Sequence, residues 1–277
     1  MDPGYPNAPY TSKTYIVCWD GSYANCLDID RQLRDTGIDY LVMNVSSHDE
    51  RRTNWMRASD VRYYGHFRNA LRDFISTRHD VFVFNAGDVA WDDYAAYTRT
   101  IEELFDSDRT IGAFAPNMTN DVFSGDGSFI LASRVHTGLF LATHTNGIYT
   151  SLSRPIAESV LAFMNWAEIT GRIDWSLFKS GWGLDTVYCL LVICGGLKIY
   201  RDGSVLFNHP EGSSYDWVAA DREMRAVTSA FGTFCEETGI DKENAQSALT
   251  MMYEKARTKQ PVKVSDVYGT LLDGLVF

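Results

Sequence analysis

The chain has 277 residues, 45% of them hydrophobic, with 36 acidic against 25 basic side chains and a formal net charge of −11. That balance suits one large folded domain with a sizeable core. It opposes duplex nucleic acid, which is bound through Lys and Arg contacts to phosphate, and it disfavours attraction to anionic lipid. Five cysteines (Cys18, Cys26, Cys189, Cys194, Cys235) lack the paired spacing of a zinc site, and no stretch approaches the ~20 apolar residues of a membrane span.

Residues 1–13 are polar and proline-containing, without an apolar signal core, so they read as a flexible leader and the protein as cytoplasmic. Tyr15–Trp19 spells a short strand, broken at Asp20-Gly21-Ser22. Leu27, Ile29 and Leu33 then predict a helix that stops at Gly37. Tyr40–Val45 is a second strand, closing in Ser46-Ser47-His48-Asp49, and residues 50–62 read as irregular. Tyr64–Ser76 is helical, with Phe67, Leu71 and Phe74 on one face. Val81–Asn85 reads as a strand buried on both faces and runs into Ala86-Gly87-Asp88. Asp92 and Asp93 cap a helix carrying Tyr94, Tyr97, Ile101 and Leu104, and Thr110–Ala115 is the next strand. This alternation predicts a mostly parallel sheet.

The second half has another texture. Leu139–Thr143 and Ile148–Ser151 flank Asn146-Gly147, a hairpin signal. A helix runs from Ser153 through Trp166, with Pro155 in its first turn. Gly181-Trp182-Gly183 precedes an apolar helix, Leu184–Cys194, and Gly195-Gly196 stops it. Leu197–Tyr200 and Ser204–Asn208 predict two short strands around Asp202-Gly203, followed by His209. Residues 216–258 read as helical, with Met224, Val227, Ala230, Phe231 and Phe234 at core spacing.

Three stretches carry candidate chemistry. Asp88 stands just past a buried strand, where open α/β sheets collect ligands. Mg²⁺ and Mn²⁺ take oxygen ligands and keep waters and substrate phosphates, so one or two protein groups suffice. Asp88 equally fits a turn or cap, and Asn85 a structural hydrogen bond. His209 follows a strand, where imidazole suits either Mn²⁺ or a loop hydrogen bond. In Gly181-Trp182-Gly183-Leu184-Asp185, the glycines admit close backbone approach and Trp182 offers a flat face to a sugar or base. Asp185 fits the first turn of a helix, or could accept a proton from an attacking hydroxyl.

Taken in order, these motifs resemble the GT-A glycosyltransferases over residues 14–215. The run Tyr64-Gly65-His66-Phe67-Arg68-Asn69-Ala70-Leu71 sits where many members carry a polar helix start that contacts the donor. Gly-Trp-Gly followed by Asp185 resembles the acceptor-side motif of β-1,4-galactosyltransferase-like enzymes. The resemblance implies an α/β fold, a GT-A-like, Rossmann-type mixed sheet flanked by helices. Residues 14–125 would form the nucleotide-sugar-binding half, 126–215 the acceptor-binding half of the same domain, and 216–277 a C-terminal helical extension. It implies Mn²⁺ or Mg²⁺ on Asp88 and His209, and Asp185 as the base of an inverting transfer. Trp19, Asp20, Asp49, Arg68, Asn85, Ala86 and Gly87 would line the donor, and Trp182 and Gly183 the acceptor or sugar. The expected activity moves a hexosyl or pentosyl group from a UDP- or GDP-sugar to a glycan hydroxyl. One departure stands out: Ala86-Gly87-Asp88 lacks the first carboxylate of the family's Asp-x-Asp, which leaves weak or absent metal binding open. The alternatives are a non-catalytic carbohydrate-binding protein derived from a transferase, a nucleotidyltransferase, and a glycoside hydrolase built on two carboxylates.

Overall fold

The computed structural model describes residues 9–59, 62–119, 130–136, 138–142, 144–178, 181–210 and 216–241. Most of the expected leader and the expected helical stretch beyond 241 lie outside these residues.

Period-two burial builds the centre of the sheet. In β1 (Ser12–Cys18), Tyr15 and Val17 enter one apolar cluster, and Ile16 and Cys18 enter another on the opposite face. In β4 (Val81–Asn85), Phe82 and Phe84 join the first cluster, Val81 and Val83 the second. Both strands are buried on two sides, so helices must cover both faces. α1 (Tyr23–Leu33) and α3 (Tyr94–Ser107) cover one. α2 (Arg62–Ser76), α4 (Arg154–Ile169), α5 (Leu184–Cys194) and α6 (Trp217–Thr238) cover the other. Among the described residues, no helix is long and apolar enough to cross a membrane.

The remaining strands are β2 (Asp39–Asn44), β3 (Trp55–Arg57), β5 (Ile111–Met118), β6 (Ile130–His136), β7 (Leu139–Ala142), β8 (Tyr149–Ser153) and β9 (Lys198–Phe207). The nine strands form one sheet in the order β3-β2-β1-β4-β8-β5-β9-β7-β6. β3, β2, β1 and β4 are parallel, a Rossmann-type half, and β8 runs antiparallel between β4 and β5. The sheet is therefore mixed, and continuous across the two expected halves.

Four expectations change. Asn146-Gly147 makes no hairpin: β7 pairs with β6 and β9, while β8 pairs with β4 and β5. Two strands expected around Asp202-Gly203 are one strand, β9, with a register shift against β5 at Pro116/Asn117. β3 lies inside the stretch read as irregular, and β6 was not anticipated. The leader ends earlier than expected, because Ser12 and Lys13 already pair with β4.

Candidate functional site

The carboxyl ends of β1, β2 and β4 face one edge of the sheet. At that edge, Asn85 is fully buried and its Oδ1 accepts the Gly87 N–H at 2.8 Å, closing the turn. Gly87 has φ +91°, and a Cβ there would overlap the Val17 carbonyl oxygen of β1. Only glycine fits that conformation and that space. Asn25 of α1 locks the turn from outside, its Nδ2 donating to the carbonyls of Gly87 (2.8 Å) and Val89 (2.9 Å). Nothing in the local sequence marked Asn25. Asn85, Ala86 and Gly87 thus shape the turn that presents Asp88.

The same turn captures the end of β9. Ala90 and Asn208 exchange backbone hydrogen bonds at 2.8 and 3.0 Å, and the His209 N–H bonds Thr119 Oγ1 at 2.8 Å. His209 Nε2 therefore lies 3.4 Å from Asp88 Oδ2, with side chains 13% and 22% exposed. Asp88 Oδ1 is buried and has no hydrogen-bond partner among the described residues. A buried carboxylate oxygen without a donor is costly unless something positive meets it. The donor set, one carboxylate and one imidazole, fits Mn²⁺ or Mg²⁺ completed by phosphate and water. Among the described residues, no group of three His, Cys, Asp or Glu forms a closed metal cage.

The Gly181–Asp185 segment reaches this edge through α2. The Tyr63 ring lies where a Cβ on either Gly181 or Gly147 would overlap it. Its hydroxyl donates to the Gly147 carbonyl, and the Tyr64 hydroxyl donates to the Trp182 carbonyl. The next residue, Ile148, accepts the Ala86 N–H at 2.7 Å, so the chain that touches Tyr63 also touches the Asp88 turn. Trp182 is half-buried beside Gly183, which precedes α5. Asp185 Oδ1 accepts the N–H groups of Gly183 (3.2 Å) and Thr186 (2.8 Å), so it does serve as a cap. Its Oδ2 faces His144 Nε2 at 3.3 Å. Burial disfavours charge on His144, but the Cys189 sulfur and the Asp185 carboxylate outweigh it and push the ring up to about 10.

Near the ends of β1 and β2, Trp19 is half-buried and packs on the core, and its N–H bonds Ser22 Oγ at 3.0 Å. Exposed Asp20 accepts from the Ser47 N–H (2.6 Å) and hydroxyl (2.7 Å), and the backbone bond is the main reason its carboxyl falls below the usual range. Asp20 thus ties the two loops together. Tyr23 stacks on His48 with ring centroids 3.8 Å apart, an aromatic platform that the sequence did not single out. Asp49 points to solvent, 75% exposed, with Arg51 at 3.3 Å. Arg68 turns away from the edge. It is 8% exposed and bonds Asn165 and Glu168 of α4, so its donors make an interhelical pairing where phosphate neutralisation was expected.

No family model matches the chain, and no curated protein does. Among solved structures, GalNAc-T7 with UDP, GalNAc and Mn²⁺ aligns over 96% of this chain and 57% of its own, with TM-score 0.52 and 9% identity. The architecture is a GT-A-like α/β fold, a mixed sheet flanked by helices. A197 from STIV (TM-score 0.42, 12% identity, 72% of this chain and 85% of its own) is also similar. So is residues 1–349 of S. aureus TarS (TM-score 0.46, 8% identity, 96% and 93%). The chain spans little more than half of the GalNAc-T7 chain, and at this identity the likeness is one of fold.

Proposed function

We propose that the chain is a nucleotide-sugar-dependent glycosyltransferase, passing a hexosyl or pentosyl group from a UDP- or GDP-sugar to a glycan hydroxyl. The observation that carries this reading is the meeting of Asp88 and His209, from distant parts of the chain, around a buried carboxylate oxygen that has no donor among the described residues. It lies at the strand edge where α/β sheets bind ligands. The GT-A-like fold supports it, as does the UDP and Mn²⁺ held by GalNAc-T7.

Asp88 and His209 would hold Mn²⁺ or Mg²⁺. When bound, such a cation supplies positive charge to the diphosphate leaving group. The loops after β1 and β2, joined by Asp20 and Ser47 with Trp19 and the Tyr23–His48 stack alongside, would seat the nucleotide. Asp49 lies at the rim of that region. Trp182 and Gly183 would border the sugar or acceptor. Asp185 Oδ2 would take the proton of the acceptor hydroxyl while that oxygen bonds the anomeric carbon from the face opposite the diphosphate. That geometry inverts configuration. Five cysteines, all free thiols, suit a reducing, cytoplasmic setting.

A nucleotidyltransferase is disfavoured, because the loop Cys18-Trp19-Asp20-Gly21-Ser22-Tyr23 carries no Lys or Arg for a triphosphate. The test measures nucleotide release from UDP- and GDP-hexoses with Mn²⁺, and thermal shift with UDP and Mn²⁺. Asp88→Ala should lower Mn²⁺-dependent release by about 100-fold or more, with melting temperature in the absence of ligand nearly unchanged. An equal rate in the variant removes Asp88 from the chemistry. A thermal shift without turnover in the wild type selects the non-catalytic binder instead.

A further inference from the structure

His144 lies on the connection between β7 and β8, 2% exposed, and the sequence reading gave it no role. Its neighbours on α5 are fixed by short contacts. The Thr145 N–H points to Cys189 Sγ at 3.4 Å, and the Tyr188 hydroxyl donates to the Thr145 carbonyl at 3.3 Å. The connection is thereby pinned along the turn of α5 that begins at Asp185. The titratable groups around it are Asp185, Tyr188 and Cys189 from α5, with Tyr63 of α2 beside Tyr188.

The lone pairs of Asp185 decide the argument. A carboxylate oxygen accepts about two hydrogen bonds. Both directions on Oδ1 are engaged by the Gly183 and Thr186 N–H groups. Oδ2 lies 3.3 Å from His144 Nε2, an ion-pair contact outside hydrogen-bond geometry. Among the described residues no N–H or O–H donates to Oδ2, so this is the oxygen that can receive a proton from an acceptor.

We infer that His144 is the positioning residue of Asp185: its buried ring, 3.3 Å from Oδ2, fixes the rotation of the carboxylate that turns it toward the acceptor hydroxyl. The inference rests on Asp185 being the base of the proposed transfer. In that step the acceptor O–H bond breaks and its proton goes to Asp185 Oδ2. The new O–C bond forms at the anomeric carbon, and the bond to the diphosphate breaks with its electron pair on the leaving group. The upward direction of the His144 ring agrees with its place beside the carboxylate.

Two readouts test this. Nitrogen-15 histidine NMR follows the ring titration of His144 in the wild type and in Asp185→Asn, and the midpoint should fall by about one unit or more when the carboxylate charge is removed. The pH profile of kcat is then taken for hydrolysis of whichever UDP- or GDP-hexose turns over. His144→Gln retains an N–H donor without charge. Its kcat should fall by less than about tenfold, with donor KM unchanged, because the amide N–H can still hold the carboxylate. His144→Phe removes donor and charge, and kcat should fall by about 100-fold across the range. If His144→Phe does not fold, His144→Gln and the ring titration still decide. A loss of about 100-fold in kcat in His144→Gln, or a raised donor KM, overturns the inference even if stability drops. An unmoved ring midpoint in Asp185→Asn, with normal wild-type turnover, overturns the pairing and leaves the proposed function standing. Turnover of no donor by the wild type overturns the base assignment itself.

Discussion

Asp30 shows how one residue can hold two elements together. Its side chain is 2% exposed, yet both oxygens are engaged. Oδ1 accepts from the Tyr40 hydroxyl (2.8 Å) and Trp55 Nε1 (3.0 Å), and Oδ2 from Arg52 (2.8 Å) and Arg34. Burial pushes its carboxyl up, but the hydrogen bonds from Tyr40, Arg34, Trp55 and Arg52 together hold it below the usual range. A depressed carboxylate stabilises the fold fully above its unfolded value near ~4, and that contribution fades as pH falls through the lower folded value. Asp30→Asn should therefore cost about 2 kcal/mol at pH 7, read from urea midpoints. The wild type should lose that advantage in acid, and a difference that persists undiminished at pH 2 would contradict the account. The same residue-scale logic separates Asp30 from Asp88. The first has donors for both oxygens and is structural, while the second keeps a buried oxygen without one among the described residues.

At the scale of elements, the α2–α4 contact explains the fate of Arg68. α2 presents Tyr63, Tyr64 and Phe67 to the core and the site, and the next position, Arg68, meets Asn165 and Glu168 of α4. The guanidinium is buried, whereas Asn165 is half-buried and Glu168 46% exposed, so solvent weakens the attraction. Arg68→Ala should lower stability by about 1–2 kcal/mol, and leave donor KM unchanged. A raised KM with unchanged melting temperature would restore Arg68 to the phosphate site. α2 has a second duty at its other end. Tyr63 fills the space that Gly147 and Gly181 leave, so the helix aligns the two loops carrying His144 and Asp185.

Across the whole molecule, the expected C-terminal extension begins as part of the core. Phe231 of α6 is fully buried and meets Phe163 of α4 edge-on, with ring centroids 5.3 Å apart. Phe234 and Val227 join the same cluster as Phe82 of the central sheet. Phe231→Ala should cost about 3–5 kcal/mol, and far-ultraviolet circular dichroism and tryptophan fluorescence should still report one coincident urea transition. Two separated transitions would mean that α6 docks as a separate unit.

Val81–Asn85 and Leu184–Cys194 were legible residue for residue in the sequence, because a strand buried on both faces and a helix that is apolar beyond its first turn leave no competing pattern. Asp88 and His209 were legible as types of residue at strand ends, and Asp185 as an acid after paired glycines. Asp88 and His209 were expected together only through the family resemblance, and the His144 partner of Asp185 was not expected at all. The two strands that local pattern missed, β3 and β6, are the two edges of the sheet, where a strand has a neighbour on one side only. The Asn146-Gly147 turn failed as a hairpin because β4 and β5 claim β8 from both sides, and strand pairing outweighs a turn preference. Asn25, Tyr63 and His144 owe their importance to residues 41 to 118 positions away, a separation that no local spacing encodes. Burial pattern is written in neighbouring residues and survives reading in one dimension, whereas which charge meets which carboxylate depends on how the sheet is ordered.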